Sequence, residues 1–257
     1  MLKNVIDVDM CMRQFFDHFH GNSAAILFDF EAAFPSISHD YMWEVLQHIG
    51  LPTEWLTGIQ ALYRDNYHQL KLSGNVFPGF SATSGVRQGC PLSPLIFALV
   101  ADVLLCRLTK EFPISLVRAY ADDTAVIVKD IFRDGPRLLR LYRDFGDISG
   151  LRLNLPKSVV IPLTSHPDIF IEEFKRRCPT WEGVEIGTNS KYLGIEIGPT
   201  CHDHIWDGPM IKFQKRCAAW SLLPLGAQLA SRCYRIFCFS TLTFVSQLAL
   251  VRERNCH

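Results

Sequence analysis

Leu116-Val117-Arg118-Ala119-Tyr120-Ala121-Asp122-Asp123-Thr124-Ala125-Val126-Ile127-Val128-Lys129 decides the fold. Two β-prone runs, 116–120 and 125–129, are joined through Ala121-Asp122-Asp123-Thr124, which predicts a hairpin with two acids at its tip. Adjacent carboxylates repel, and both are comfortable in the ionised form only where a cation neutralises them. Asp is also an ordinary turn residue, so the pair alone leaves two readings open. A third acid narrows them. Asp29 ends the apolar run Ala24-Ala25-Ile26-Leu27-Phe28, which suits a buried strand, and a neighbouring strand would aim Asp29 at the hairpin tip. Three hard carboxylates suit Mg²⁺, with waters and a substrate phosphate completing the shell. Two such ions ~3.5–4 Å apart can activate an attacking hydroxyl and stabilise a leaving oxygen.

Outward from this centre, strands and helices interleave. Val5, Val8, Met12, Phe15, Phe16 and Phe19 recur at helical spacing over 5–19, ended by Gly21-Asn22. Helices are expected over 40–49, stopped by Gly50 and Pro52, and over 53–65. Residues 67–82 read as a hairpin turning at Gly74-Asn75. The Gly/Ser/Pro-rich loop 84–94 opens a helix with Ser93 as N-cap and Pro94 first. From Leu95 to Leu108 that helix is apolar on nearly every face, which predicts deep burial. A helix over 135–149 ends at Gly150, short strands are expected near 151–154, 158–163 and 191–197, and a basic helical region closes the chain. The pattern predicts an α+β fold around an antiparallel sheet flanked by helices.

Formal net charge is zero, but it is unevenly spread. Residues 1–130 carry 9 Lys/Arg against 14 Asp/Glu, and 131–257 carry 17 against 12. An acidic half beside a basic half suits a metal site next to a polyanion track, though ordinary surface scatter gives the same balance. The nine cysteines are odd in number and form no CxxC pair, which points to a reduced, intracellular protein without structural zinc; nucleus and cytoplasm are not distinguished. Cys201, His202, Asp203 and His204 are read as loop residues. The run Ile236–Val251 is interrupted by Ser240, Thr241, Thr243, Ser246 and Gln247 and falls short of the ~20 apolar residues of a membrane span. It is read as a buried helix.

Here the residues resemble a known family. Phe28-Asp29-Phe30-Glu31-Ala32-Ala33-Phe34 resembles polymerase motif A of reverse transcriptases. Ser84-Gly85-Val86-Arg87-Gln88-Gly89-Cys90-Pro91-Leu92-Ser93-Pro94 is similar to motif B, in the wording of non-LTR retrotransposons and group II introns. Tyr120-Ala121-Asp122-Asp123 resembles motif C, Leu151-Arg152-Leu153-Asn154-Leu155-Pro156-Lys157-Ser158 motif D, and Tyr192-Leu193-Gly194 motif E.

The resemblance implies an RNA-directed DNA polymerase: a palm over residues 1–200 and a partial, thumb-like helical region over 201–257. Its partners would be an RNA template, a DNA primer and dNTPs. Asp29, Asp122 and Asp123 would be catalytic and would hold two Mg²⁺ ions (Mn²⁺ as an alternative), together with the backbone carbonyl of Phe30. Phe34 matches the bulky residue that excludes a 2′-hydroxyl, although a core aromatic is its plain reading. Arg87, Gln88 and Gly89 match positions contacting nucleotide and template, Arg87 being equally readable as solvated. Lys157 matches a lysine that protonates or neutralises the leaving pyrophosphate, or is a surface lysine. Tyr192, Leu193 and Gly194 would form the primer grip. Lys212, Lys215, Arg216, Arg232 and Arg235 would track the nucleic-acid backbone or form a solvated face.

The family places a basic fingers region before motif A, whereas 28 residues, more acidic than basic, precede Asp29. The expectation is therefore a truncated piece of a retroelement protein, fingers largely missing and other domains absent, weak or inactive while keeping the palm fold. The alternative is a catalytically inactive nucleic-acid-binding remnant, maturase-like or decayed. An RNA-templated RNA polymerase is disfavoured by the ring at Phe34.

Overall fold

The computed structural model describes residues 1–18, 21–199, 201 and 205–249. In chain order the elements are α1 (Leu2–His18), β1 (Ala24–Phe28), α2 (Ala33–Ser36), α3 (His39–His48), α4 (Thr53–Tyr63), β2 (Tyr67–Leu72), β3 (Asn75–Ser81), α5 (Ser93–Glu111), β4 (Leu116–Tyr120), β5 (Asp123–Val128), α6 (Ile131–Ser149), β6 (Val159–Pro162), α7 (Pro167–Arg177), β7 (Glu185–Ile186), β8 (Ser190–Tyr192), β9 (Ile195–Ile197), α8 (Asp207–Ser221) and α9 (Ala227–Cys233). A π-helical stretch, Tyr234–Phe239, and α10, Ser240–Thr243, follow.

β1 is apolar throughout because both its faces are covered. Ala24, Ile26 and Phe28 point into a core built with Val126, Val128 and Val160 and with residues of α3, α5, α6 and α7. Ala25 and Leu27 point the other way, against Val5, Val8, Met12 and Phe15 of α1 and against Tyr192, Ile195 and Ile197. Side chains alternate along a strand, so one five-residue run feeds both cores. Fully burying each large aliphatic or aromatic side chain stabilises the fold by about 1.5–3 kcal/mol.

The main sheet has the order β4-β5-β1-β6-β7. β4, β5, β1 and β6 pair antiparallel, but β7 runs parallel to β6. The sheet is therefore mixed, not antiparallel as expected: the connection after β6 crosses over through α7, which returns the chain to run β7 in the same direction. Two-stranded sheets β2-β3 and β8-β9 stand beside it.

Other expectations need correcting. Residues 151–154 form no strand; Leu153 makes one isolated antiparallel bridge to Phe30, and the chain then enters a 3-10 turn at Leu155–Lys157. α5 is not buried all round: Ile96, Phe97, Val100, Leu104 and Leu108 form its core stripe, while Leu95 and Val103 are 58% and 44% exposed. It forms an outer layer, covered on one side. Ser93 is its first residue, not its N-cap, a place taken by Leu92. The C-terminal apolar run is helical but not buried. Within 236–249 Cys238 and Val245 are buried, whereas Ile236, Phe237 and Phe239 face solvent. Its helix passes from π to α to 3-10 geometry, so no single apolar stripe is sustained. α7 and β7 were not anticipated. Phe19, the 202–204 triplet and Val251 lie outside the described residues.

Candidate active site

The register of the sheet brings the acids together. Phe28 pairs with Thr124 across β1–β5, and Tyr120 with Asp123 across β4–β5. Asp29 follows Phe28 and Asp123 precedes Thr124, so both acids stand at the same end of the β1–β5 ladder, close enough for Asp29 to act on the Asp123 carboxyl. Ala121-Asp122 is the two-residue turn between β4 and β5. Ala121 adopts φ +53°, a conformation that costs a residue bearing a Cβ about 1–2 kcal/mol.

Asp29 is fixed from the β6 side. Its carbonyl accepts from Asn154 N–H at 2.9 Å, and Glu31 N–H donates to Arg152 at 2.8 Å. Its own N–H donates to Ser158 Oγ at 3.2 Å, and that fully buried hydroxyl donates to the Asn154 carbonyl at 2.9 Å. Asp29 and Glu31 make the bonds flanking the Phe30–Leu153 bridge, so the Phe30 carbonyl points to the opposite side of the chain, towards β5.

A cleft of about 240 Å³ is lined by Asp29, Asp123, Lys157, Ser190, Lys191 and Tyr192 among others. Within it Asp29 Oδ2 is buried without a hydrogen-bond partner. Burial raises the Asp29 carboxyl above its ordinary range; Lys157 opposes the shift and Asp122 adds to it. Asp123 is raised by loss of surrounding water, then by repulsion from Asp122 and Asp29. Asp123 is nonetheless exposed overall, so solvent screens much of this effect. Burial, then the charge of Asp123, pushes the Tyr192 phenol up to about 12. Each acid here is easier to ionise if positive charge arrives. An orphaned carboxylate oxygen and a set of hard oxygens fit a divalent cation. Among the described residues, no three His, Cys, Asp or Glu side chains are already gathered at the spacing that a bound metal imposes.

The motif B residues form a second hollow, about 480 Å³, lined by Phe34, Arg87, Gln88, Gly89, Cys90, Pro91, Ser93 and Pro94. Phe34 stacks on Phe97 with ring centroids 4.6 Å apart. Val86 N–H donates to the Phe34 carbonyl at 2.8 Å, which ties motif A to motif B. Arg87 is held rather than solvated: it donates to Asn66 Oδ1 at 2.9 Å and lies over the Tyr63 ring. Leu193 and Gly194 form the β8–β9 turn, both with positive φ, while Tyr192 is buried beneath it. Of the C-terminal cations, Lys212, Lys215, Arg232 and Arg235 are exposed, and Arg216 donates to the Phe237 carbonyl. Sequence reasoning gave no role to Ser158, Ser190, Lys191, Asn66 or Phe97. Ser158 closes the stretch that resembles motif D and Lys191 precedes Tyr192, but neither position by itself points to a role.

This α+β fold, a mixed sheet flanked by helices, is similar to that of part of telomerase. Apo telomerase from Candida tropicalis matches with a TM-score of 0.53 at 13% identity, covering 99% of this chain and 48% of that one. The same enzyme in complex with a fragment of telomeric RNA gives 0.52 at 15% identity, covering 98% and 44%. The chain belongs to the reverse transcriptase (RNA-dependent DNA polymerase) family, whose model matches residues 3–197. Its relatives are Pol proteins of non-LTR retrotransposons. It is 31% identical over 77% of its length to the retrovirus-related Pol polyprotein of a type-2 retrotransposable element from Drosophila melanogaster, covering 20% of that protein. It is 27% identical over 69% of its length to a 149 kDa protein of transposon TX1 from Xenopus laevis, covering 14%. The chain thus spans a fifth or less of these two relatives. No helix among the described residues is long and apolar enough to cross a membrane.

Proposed function

We propose that this chain carries the polymerase palm of a non-LTR retrotransposon reverse transcriptase, residues 1–200, with 201–257 beginning a thumb-like region. It would extend a DNA primer on an RNA template. The observation that carries this reading is that Asp29, Asp123 and Lys157 line one cleft at the end of the β1–β5 ladder, with Asp29 Oδ2 buried and unpartnered. Asp29, Asp122, Asp123 and the Phe30 carbonyl would hold two Mg²⁺ ions, which when bound activate the primer 3′-hydroxyl and neutralise charge on the phosphates. Lys157 would supply positive charge or a proton to the departing pyrophosphate. Gln88 and Gly89 would line the place of nucleotide and template, and Phe34, backed by Phe97, would stand as a wall against a 2′-hydroxyl. The turn Leu193-Gly194 would steady the primer end beside the acids. Positioning and charge stabilisation are most of what phosphoryl transfer asks of a protein.

The test is primer extension on poly(rA)–oligo(dT) with dTTP and Mg²⁺, wild type beside Asp122→Ala/Asp123→Ala. Extension lost in the double variant supports the polymerase. Equal extension in both proteins, or none in folded wild type, refutes the assignment for this chain.

A further inference from the structure

α1 carries no motif of the polymerase reading, yet its first two turns reach the strand that presents the acid pair. β4 is an edge strand of the main sheet, and none of its five residues is buried. Its pairing with β5 closes on the two-residue turn Ala121-Asp122, with Tyr120 opposite Asp123. In such a hairpin the flanking pair is the one that exchanges hydrogen bonds, so Ala119 and Val117 turn their carbonyls away from β5. Side chains meet both. Asn4 Nδ2 donates to the Ala119 carbonyl at 2.7 Å. Arg118 Nη1 donates to the Val117 carbonyl at 2.9 Å, and Arg118 Nε donates to Asp7 Oδ2 at 2.8 Å. Asn4 and Asp7 stand three residues apart and so share one face of the helix. Val5 and Val8 anchor that helix in the core that also holds Ala125, Ile127 and Tyr192, and strand alternation puts Asp123 on the same side of the sheet as Ala125. An edge strand leaves its outward groups without a neighbouring strand; here a helix supplies partners for them, right beside the acidic turn.

We propose that Asn4 and Asp7 are positioning residues, which stand in for a strand beyond β4 and fix the β4–β5 turn, and with it Asp122 and Asp123, relative to Asp29. The clamp stands on the three hydrogen bonds; its consequence, a well-shaped cation site, rests on the polymerase reading. β5 is buried from Thr124 to Val128 and is held between β4 and β1, so it has little room to shift. β4 has a strand on one side only, and the turn moves with it. Ala121 holds φ +53° in that turn, a costly conformation for a residue with a Cβ, which persists only while the flanking residues are held. Mg²⁺ tolerates little departure from octahedral geometry. A small swing of the turn therefore weakens cation binding without unfolding the sheet.

The experiment compares wild type with Asn4→Leu and Asp7→Asn, which remove the donor or the charge at nearly constant size, and with Asn4→Gln and Asp7→Glu, which keep them. Arg13→Ala breaks the Arg13–Asp9 pair farther along the same helix and controls for a general loosening of α1. Two quantities are read at a temperature where each protein is folded: amide exchange over residues 116–124 by mass spectrometry, and Mn²⁺ affinity by calorimetry. Asn4→Leu and Asp7→Asn are each expected to speed that exchange and to weaken Mn²⁺ binding by about threefold to tenfold, the worth of one net hydrogen bond. The conservative variants should recover most of the loss, and Arg13→Ala should change neither quantity. Unchanged exchange over 116–124, faster exchange with unchanged Mn²⁺ affinity, or the same effects in Arg13→Ala overturns the proposal. The two positions report on one clamp, so misfolding of one variant leaves the other to decide. If folded wild type binds no Mn²⁺, the cation reading fails, while the exchange comparison alone still decides whether α1 holds the turn.

Discussion

Gly85→Ala tests the junction that holds motif A against motif B. Gly85 has φ +82°, and an added Cβ would lie 2.5 Å from the Pro35 carbonyl oxygen, 2.6 Å from its Cα and 2.7 Å from its carbonyl carbon. All three are backbone atoms, so no side chain can swing aside. The left-handed conformation costs Ala about 1–2 kcal/mol, and overpacking adds about 1–3 kcal/mol. A stiffer unfolded chain returns about 0.4–1 kcal/mol. The net loss is about 1–5 kcal/mol. With a urea m-value of about 3 kcal/mol/M, the midpoint falls by about 0.3–1.5 M. The same overlap strains the bonds from Gly85 N–H to the Ile37 carbonyl, 2.7 Å, and from Val86 N–H to the Phe34 carbonyl, 2.8 Å. Urea unfolding followed by circular dichroism reads the shift. A midpoint drop below ~0.2 M would refute the close approach and the argument built on it.

Neutralising the acid cluster should stabilise the fold. Asp29 and Asp123 have carboxyls raised above their unfolded values, so their unfavourable contribution is absent below the unfolded carboxylate range and grows as pH rises through the folded value. Asp123→Asn should therefore raise Tm at pH 7 and lose that advantage as pH falls to about 4, which thermal melts across pH will show. Phe97→Ala removes a ring that is 1% exposed and supports Phe34. It should cost about 3–5 kcal/mol and, at a temperature where the variant is folded, relax the preference for dTTP over the ribonucleotide in extension assays. Ser158→Ala leaves Asp29 N–H and the Asn154 carbonyl without their hydroxyl partner. The expected cost is about 1–3 kcal/mol in chemical denaturation, with extension falling by more than the folded fraction does.

The parts of the fold that were legible are those where a single segment carries its own signal. β1 announced itself because burial on both faces demands an unbroken apolar run, and the β4–β5 hairpin because an acidic pair sits between two β-prone stretches. The partnership of β1 with β5 was inferred only conditionally, since strand order is a tertiary fact. β7 has two residues and no period to read. α7 shows only Phe170 and Phe174 buried, too sparse a stripe to stand out. Residues 151–154 mimicked a strand because Leu151 and Leu153 alternate with Arg152 and Asn154, whereas the backbone makes only one bridge, Leu153 to Phe30. At the site, the acids, Lys157 and the motif B loop were readable as motifs. The supports were not: Ser158 acts through the backbone of Asp29, and Phe97 acts through a stack with Phe34, and neither relation leaves a local pattern.

The central claim is that β1 and the β4–β5 turn deliver one cation site. Mn²⁺ binding, titrated calorimetrically on wild type and Asp29→Asn, tests it most directly. The account predicts saturable binding to wild type that raises Tm and is lost in Asp29→Asn while the circular dichroism spectrum is kept. Equal binding by both proteins, or none by folded wild type, would contradict it.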